Sequence, residues 1–325
     1  MKKTVKCAVI GVGYLGKFHA SKFAELTSTE LVGVCDIDQA RSKEIAAKYD
    51  IDSFTDYHDL IGKVDAVSIA ATTSIHYALA KFFLEHDIHV LLEKPIATTL
   101  NEANELIAIA HKKKIIFQIG HLERFNPVFI ALQSKLNHPA FIEATRVAPF
   151  KPRGTDVNVI LDLMINDIEL ALNIIKAPVT KIFAYGAPVL SNEIDLARAN
   201  IEFANGCVAN LSASRVSLKS QHKMKIFQPD ACLACDFNDK TLATFQKGTG
   251  KIKPYLPEIL SEKITLENSD ALQSEIVAFI ESITKKLPPK VTAEEARDAL
   301  VIALEITRIA NEHLSNFNTL KSAKE

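Results

Sequence analysis

The chain carries almost no net charge: 38 Lys and Arg stand against 39 Asp and Glu in 325 residues, a formal charge of −1. A general attraction to nucleic acid or to an anionic membrane surface is therefore not expected, and a small-molecule partner is. No apolar run approaches the roughly 20 residues that a membrane-spanning helix needs. The apolar stretch after Met1-Lys2-Lys3-Thr4 ends at Gly11, too short for an export signal. Cysteines are few and odd in number, Cys7, Cys35, Cys207, Cys232 and Cys235. A fully paired disulfide framework is thereby excluded, and a reducing, cytoplasmic setting is expected. Cys232-Leu233-Ala234-Cys235 has neither a second cysteine pair nor a histidine pair beside it, so strand residues are expected and no metal site. Repeats and low-complexity tracts are absent.

With 48 % apolar residues and a length typical of about two domains, the chain can build two substantial cores. From Val5 to about Gly120, short β-rich runs (Cys7–Ile10, Leu31–Asp36, Ala66–Ala70, Val90–Glu93, Ile115–Ile119) alternate with helical patterns (Leu15–Leu26, Gln39–Tyr49, Ile75–His86, Leu100–His111). That alternation predicts an α/β, doubly wound parallel sheet of the Rossmann type over residues 1–121. After Gly120 the rhythm changes to a helix near Pro127–Leu136, a strand near Phe141–Val147, a helix over Val159–Ile175 and a series of short strands with Asn205-Gly206 as a hairpin turn. The expectation for 122–325 is a second α/β domain with an open, mainly antiparallel sheet, finished by helices near Asp270–Lys285 and Ala293–Phe317.

Gly11-Val12-Gly13-Tyr14-Leu15-Gly16 follows an apolar strand and opens a helix, and Asp36 ends the next strand twenty residues after Gly16. In that context Gly11 permits the tight turn, Gly13 lets backbone approach a pyrophosphate, and Gly16 allows close helix packing. Tyr14 and Leu15 complete the cofactor turn. The Asp36 carboxylate suits the ribose hydroxyls of NAD and would repel a 2′-phosphate. Ile37 stands where an arginine would favour NADP, while Arg41 lies near enough to blur that preference.

At Ala71-Thr72-Thr73-Ser74-Ile75-His76 and Glu93-Lys94-Pro95 the chain resembles the glucose-fructose oxidoreductase, inositol dehydrogenase and MocA family. The resemblance implies that Thr72, His76, Glu93 and Lys94 join the NAD site, with Lys94 beside nicotinamide and substrate. Gly120-His121-Leu122-Glu123-Arg124-Phe125-Asn126-Pro127, Pro152-Arg153-Gly154-Thr155-Asp156-Val157 and Leu161-Asp162-Leu163-Met164-Ile165 look like the branch that oxidises the 3-hydroxyl of UDP-N-acetylglucosamine or its uronic acid. That branch implies substrate contacts from Arg124, Asn126 and Arg153, a 3-keto product destined for lipopolysaccharide assembly, and a homodimer or homotetramer covering the open sheet. His121 can serve equally as core or contact.

The family pattern Asp-x-x-x-His-x-x-Asp reads Asp162-Leu163-Met164-Ile165-Asn166-Asp167-Ile168-Glu169 here. On an ideal helix 162, 166 and 169 share a face, so Asn166 occupies the acid/base position without a titrating group. Lys94 becomes the first candidate to handle the proton, with Asp162 assisting, Asn166 holding a sugar hydroxyl and Asp167 contacting substrate less directly. If Lys94 keeps its proton it acts electrostatically instead. Two alternatives stay open: a dehydrogenase of a free polyol or sugar, and a weakened NAD-binding sensor.

Overall fold

A computed structural model describes residues 4–150, 157–253, 256–267 and 269–322; Arg153 lies outside the described residues. The chain divides into two units, one of residues 1–125 and 270–298, the other of 126–269 and 299–325.

The first unit runs β1 (Val5–Ile10), α1 (Gly16–Glu25), β2 (Thr29–Cys35), α2 (Gln39–Tyr49), β3 (Asp52–Phe54), β4 (Ala66–Ile69), α3 (His76–Glu85), β5 (His89–Glu93), α4 (Leu100–Lys113) and β6 (Phe117–Gly120). Its six strands are parallel in the order β3-β2-β1-β4-β5-β6. Every residue of β4 is buried, as a parallel strand covered on both faces requires. Helix starts are locally encoded. Asp38 caps α2 by accepting from the Ala40 and Arg41 amides, and Thr99 with Glu102 forms a reciprocal capping box on α4. The three-residue β3 was not expected; its only buried side chain is Phe54, too short a pattern for alternation to register.

The second unit contains α5 (Pro127–Gln133), β7 (Phe141–Val147), α6 (Ile165–Ile175), β8 (Val179–Ala187), β9 (Leu196–Phe203), β10 (Val208–Ser214), β11 (Gln221–Gln228), β12 (Ala231–Asp236), β13 (Thr241–Lys253) and β14 (Leu256–Thr265). The eight strands lie in the order β14-β13-β12-β11-β7-β10-β9-β8, antiparallel except for the β7–β10 pair. Cys232 and Cys235 lie within β12. On β11 the pattern alternates, with His222, Met224 and Ile226 buried and Lys223 and Lys225 exposed, so one sheet face joins the core and the other is open.

Two helices follow, α7 (Ala271–Lys285) and α8 (Ala293–Ser322). Helix α7 was expected with the second domain, yet it belongs to the first unit. Ile276, Phe279 and Ile280 form its apolar stripe and share a core with Val5, Cys7, Phe23 and Leu91. Burial of that stripe, at about 25 cal/mol per Å² of apolar surface, assigns the helix; chain position does not. The first turns of α8 lie in the first unit and the remainder in the second. No helix among the described residues is long and apolar enough to cross a membrane.

Candidate functional site

The strand order of the first unit reverses between β1 and β4, and open α/β sheets place ligands at the carboxyl ends of strands flanking such a reversal. The glycine turn stands there. Gly11 has φ +80°, and a Cβ on it would lie 2.9 Å from the Ala70 carbonyl oxygen; a Cβ on Gly16 would lie 1.7 Å from the Gly11 oxygen. Around Gly13 nothing lies within 4 Å of such an atom. Helix α1 therefore starts hard against the turn while Gly13 leaves its approach open. The helix start has no side-chain cap and no acidic residue in its first turn, which suits an incoming phosphate. Tyr14 and Leu15 are exposed beside it.

Asp36 directly follows β2 in a buried position, 7 % exposed. Its Oδ2 accepts from the Val12 amide at 2.9 Å and its Oδ1 from the Asp38 amide at 2.9 Å. Arg41 Nη1 lies 3.4 Å from both oxygens and Arg41 Nη2 lies 3.2 Å from Asp38, so its charge is already met by two carboxylates. Ile37 is exposed. These residues fit the adenosine half of NAD. Replacing Asp36 with Ala is expected to lower kcat/KM for NAD about 10- to 100-fold, as loss of a charge-assisted hydrogen bond does, and to narrow the preference over NADP. Steady-state kinetics with both cofactors checks it, and an unchanged NAD:NADP ratio would overturn the assignment.

At the end of β5, Glu93 is followed by Lys94 and a cis Lys94–Pro95 bond. The imidazole of His76 spans the carbonyl oxygens of Pro95 (Nδ1, 2.9 Å) and Ala71 (Nε2, 3.1 Å). It joins the lysine turn to the loop carrying exposed Thr72. Expected as a cofactor contact, His76 is instead 1 % exposed. Burial pushes its pKa down, against the pull of the two carbonyls.

Glu93 reaches His19 on α1 at 3.1 Å, and Ser68 on β4 holds the other ring nitrogen at 2.8 Å. A second carboxyl, Glu275 on α7, is fully buried, and neither oxygen has a hydrogen-bond partner among the described residues. Burial first, and the Glu93 charge second, push it well above the ordinary glutamate range. His121 is also buried, with both ring nitrogens unpartnered among the described residues. Its pKa is pushed down to about 3 by burial and by the charges of Lys94 and Arg124, so its ring is neutral at physiological pH. Arg124, expected to meet substrate, is 8 % exposed and pairs with Glu295 at 3.5 Å.

Glu275 gives a direct stability test. The folded chain holds its proton more tightly than the unfolded chain does. Its contribution therefore favours folding at acidic pH and falls as pH rises from the ordinary glutamate value toward the raised folded one. Glu275→Gln, which has no such proton to hold, is expected to gain stability relative to its parent between pH 5 and pH 8, because only the parent's stability falls with this group over that range. Thermal unfolding at both values checks it; an unchanged difference between variant and parent contradicts it.

In the second unit the expected continuous helix from Val159 is broken into a π-helical turn over Ile160–Met164 and α6. The wider turn changes the angle between Asp162 and the residues after it, so the straight i, i+4, i+7 face does not extend back to Asp162. Asp162 is half-buried, whereas Asn166 is 8 % exposed and its Nδ2 donates to the Leu163 carbonyl at 3.1 Å. Asp167, expected to contact substrate, is 1 % exposed. It accepts from Arg146 Nε at 3.2 Å and from His222 Nε2 at 2.8 Å; His222 stacks on Phe237. Asn126, also expected at the substrate, caps α5 by accepting from the Val128 amide at 3.0 Å. His19, Ser68, Glu275, Arg146 and His222 carried no sequence signal of their own, because each acts through a neighbour distant in sequence.

Comparison with known proteins finds similarity along nearly the whole chain. Residues 5–121 match the oxidoreductase family with an NAD-binding Rossmann fold whose name abbreviates Gfo, Idh and MocA. The UDP-N-acetylglucosamine 3-dehydrogenase of Acidithiobacillus ferrooxidans is 37 % identical over 95 % of this chain and 97 % of its own. Its solved structure superposes with a TM-score of 0.89, covering 94 % of this chain and 97 % of that one at 36 % identity. A myo-inositol 2-dehydrogenase from Thermotoga maritima is 24 % identical over 92 % of this chain and 94 % of its own.

Proposed function

Because the chain belongs to the Gfo/Idh/MocA family of NAD-dependent oxidoreductases, we propose that it oxidises the 3-hydroxyl of a UDP-N-acetylhexosamine to a 3-keto nucleotide sugar. The observation that carries this reading is the near full-length similarity to a UDP-N-acetylglucosamine 3-dehydrogenase, together with a lysine at the carboxyl end of a central parallel strand. NAD, when bound, supplies the hydride acceptor. In the proposal Lys94 takes the hydroxyl proton, or holds the developing alkoxide by charge. Asp162 and Asn166 hold sugar hydroxyls. Arg124 keeps a place only as a residue that can exchange Glu295 for an anionic group on the substrate. The open face of the eight-stranded sheet is assigned to a second copy of the chain, and the five free cysteines suit the cytoplasm.

The test is anaerobic single turnover with NAD and UDP-N-acetylglucosamine, following the reduced-nicotinamide band, with an aminotransferase and glutamate to draw off the ketone. A band with the nucleotide sugar and none with free N-acetylglucosamine is expected. A band with a free inositol instead supports the polyol reading that the inositol dehydrogenase relative raises. NAD binding without turnover on any sugar, unrelieved by Asn166→His, supports the sensor reading.

A further inference from the structure

Three side chains that the proposed reaction leaves unused form a continuous hydrogen-bonded chain next to the lysine turn. Ser68 Oγ on β4 lies 2.8 Å from His19 Nδ1, and His19 Nε2 on α1 lies 3.1 Å from Glu93 Oε1. The carboxylate only accepts, so Nε2 is the donor to it, and Nδ1 shares a hydrogen bond with the hydroxyl. His19 is 1 % and Ser68 0 % exposed, so neither is a surface pair open to exchange with water. His19 lies one helical turn beyond Gly16, at the start of the helix that abuts the dinucleotide turn, and Glu93 immediately precedes Lys94. Gly120, paired with Glu93 across β5 and β6, makes room for the carboxylate: a Cβ there would lie 3.1–3.2 Å from it.

We propose that His19 is a positioning residue for Lys94, acting through Glu93, so that the lysine turn is held in register with the glycine turn that receives the cofactor. The inference rests on the reading of Lys94 given under Proposed function. The groups facing Glu93 are His19 from α1, His76 from α3, Lys94 from the end of its own strand and Glu275 from α7. Burial alone would raise the Glu93 carboxyl, but the His19 hydrogen bond, Lys94 and the neighbouring imidazoles outweigh it and hold the carboxyl below its ordinary range. With Glu275 pushed toward its neutral form, negative charge in this cluster is favoured on Glu93. Removing the His19 donor leaves a largely buried carboxylate without its main support, which favours its protonation and weakens its electrostatic interaction with Lys94.

The experiment compares the full-length parent with His19→Leu, His19→Gln, Glu93→Gln and the double variant His19→Leu/Glu93→Gln. Two readouts are taken: kcat and KM against pH, and competitive acetylation of Lys94 by acetic anhydride against pH, read by mass spectrometry. The acetylation arm needs no sugar substrate. For His19→Leu and Glu93→Gln the acetylation profile should move to lower pH, with kcat falling about 10- to 100-fold at little changed KM. His19→Gln keeps an N–H donor and should restore most of both. The double variant should be no worse than the worse single one, since both act along one path. An unmoved acetylation profile in both His19→Leu and Glu93→Gln overturns the proposal, as does equal loss in the Leu and Gln variants of His19. If His19→Leu does not fold, Glu93→Gln set against His19→Gln decides it. If the parent turns over no sugar nucleotide, the reaction reading fails while acetylation still decides this one.

Discussion

Replacing Asp195 with Ala is expected to lower stability by about 3–5 kcal/mol, the cost of leaving a buried charge without its partner. Asp195 is 0 % exposed. It accepts from the amides of Val189, Leu190 and Ser191 at 2.6–2.8 Å, from the Ser191 hydroxyl at 2.7 Å and from Arg215 Nε at 2.6 Å. Arg215 in turn donates to the Val157 carbonyl at 3.0 Å and to Ser191 Oγ at 3.1 Å. Truncation strands the guanidinium and three amide donors together. Against a typical total of about 5–15 kcal/mol, the loss is a large share. Burial on its own would raise this carboxyl, but the donors outweigh burial and hold it far below the ordinary carboxylate range. Its contribution is therefore fully present above the ordinary aspartate value and is lost only as pH falls toward the depressed folded one. The parent should keep this stabilisation at pH 4, and the variant should lack it at every pH above that. Urea unfolding followed by far-ultraviolet circular dichroism measures the difference, since the chain has no tryptophan to report by fluorescence. A loss below 1 kcal/mol would show that the network is not worth what its geometry implies.

The second large effect concerns Lys94. Lys94→Ala is expected to reduce kcat about 10²- to 10⁴-fold, the range for removing a group that handles a proton in the transition state, while NAD affinity stays nearly that of the parent. The separation follows from placement. The glycine turn and Asp36 directly follow β1 and β2, whereas Lys94 directly follows β5, two strands from β1 in the sheet. Titrating NAD into the variant and measuring single turnover with the nucleotide sugar tests both halves. Retained turnover removes Lys94 from the chemistry. Lost NAD binding makes it a cofactor residue instead.

Legibility from sequence followed the range of the interaction. The strands and helices of residues 5–120 were readable because apolar runs, glycines and caps act within a few residues, and the GxGxxG turn with Asp36 carries its own geometric logic. The three-residue β3 and β14, whose apolar residues do not alternate, left too little periodicity to read. The π-turn before α6 was hidden because the same apolar spacing fits an unbroken helix, and it changes the angle at which Asp162 stands. Asn126 reads equally as a substrate contact or a helix cap, and only its bond to Val128 distinguishes them. Arg124 and Asp167 read as charges available to a ligand until their partners Glu295 and Arg146 come into place.

Local chemistry in the sequence determined the Rossmann sheet, the NAD turn, the lysine motif and the family. Those features depend on backbone geometry and neighbours a few positions apart. Tertiary structure alone decided that α7 completes the first core, that burial pushes the Glu275 carboxyl up, and that His19, Glu93 and Ser68 form one chain beside Lys94. Each of these depends on which surfaces are removed from water and which distant groups then meet, and burial and long-range pairing set those energies.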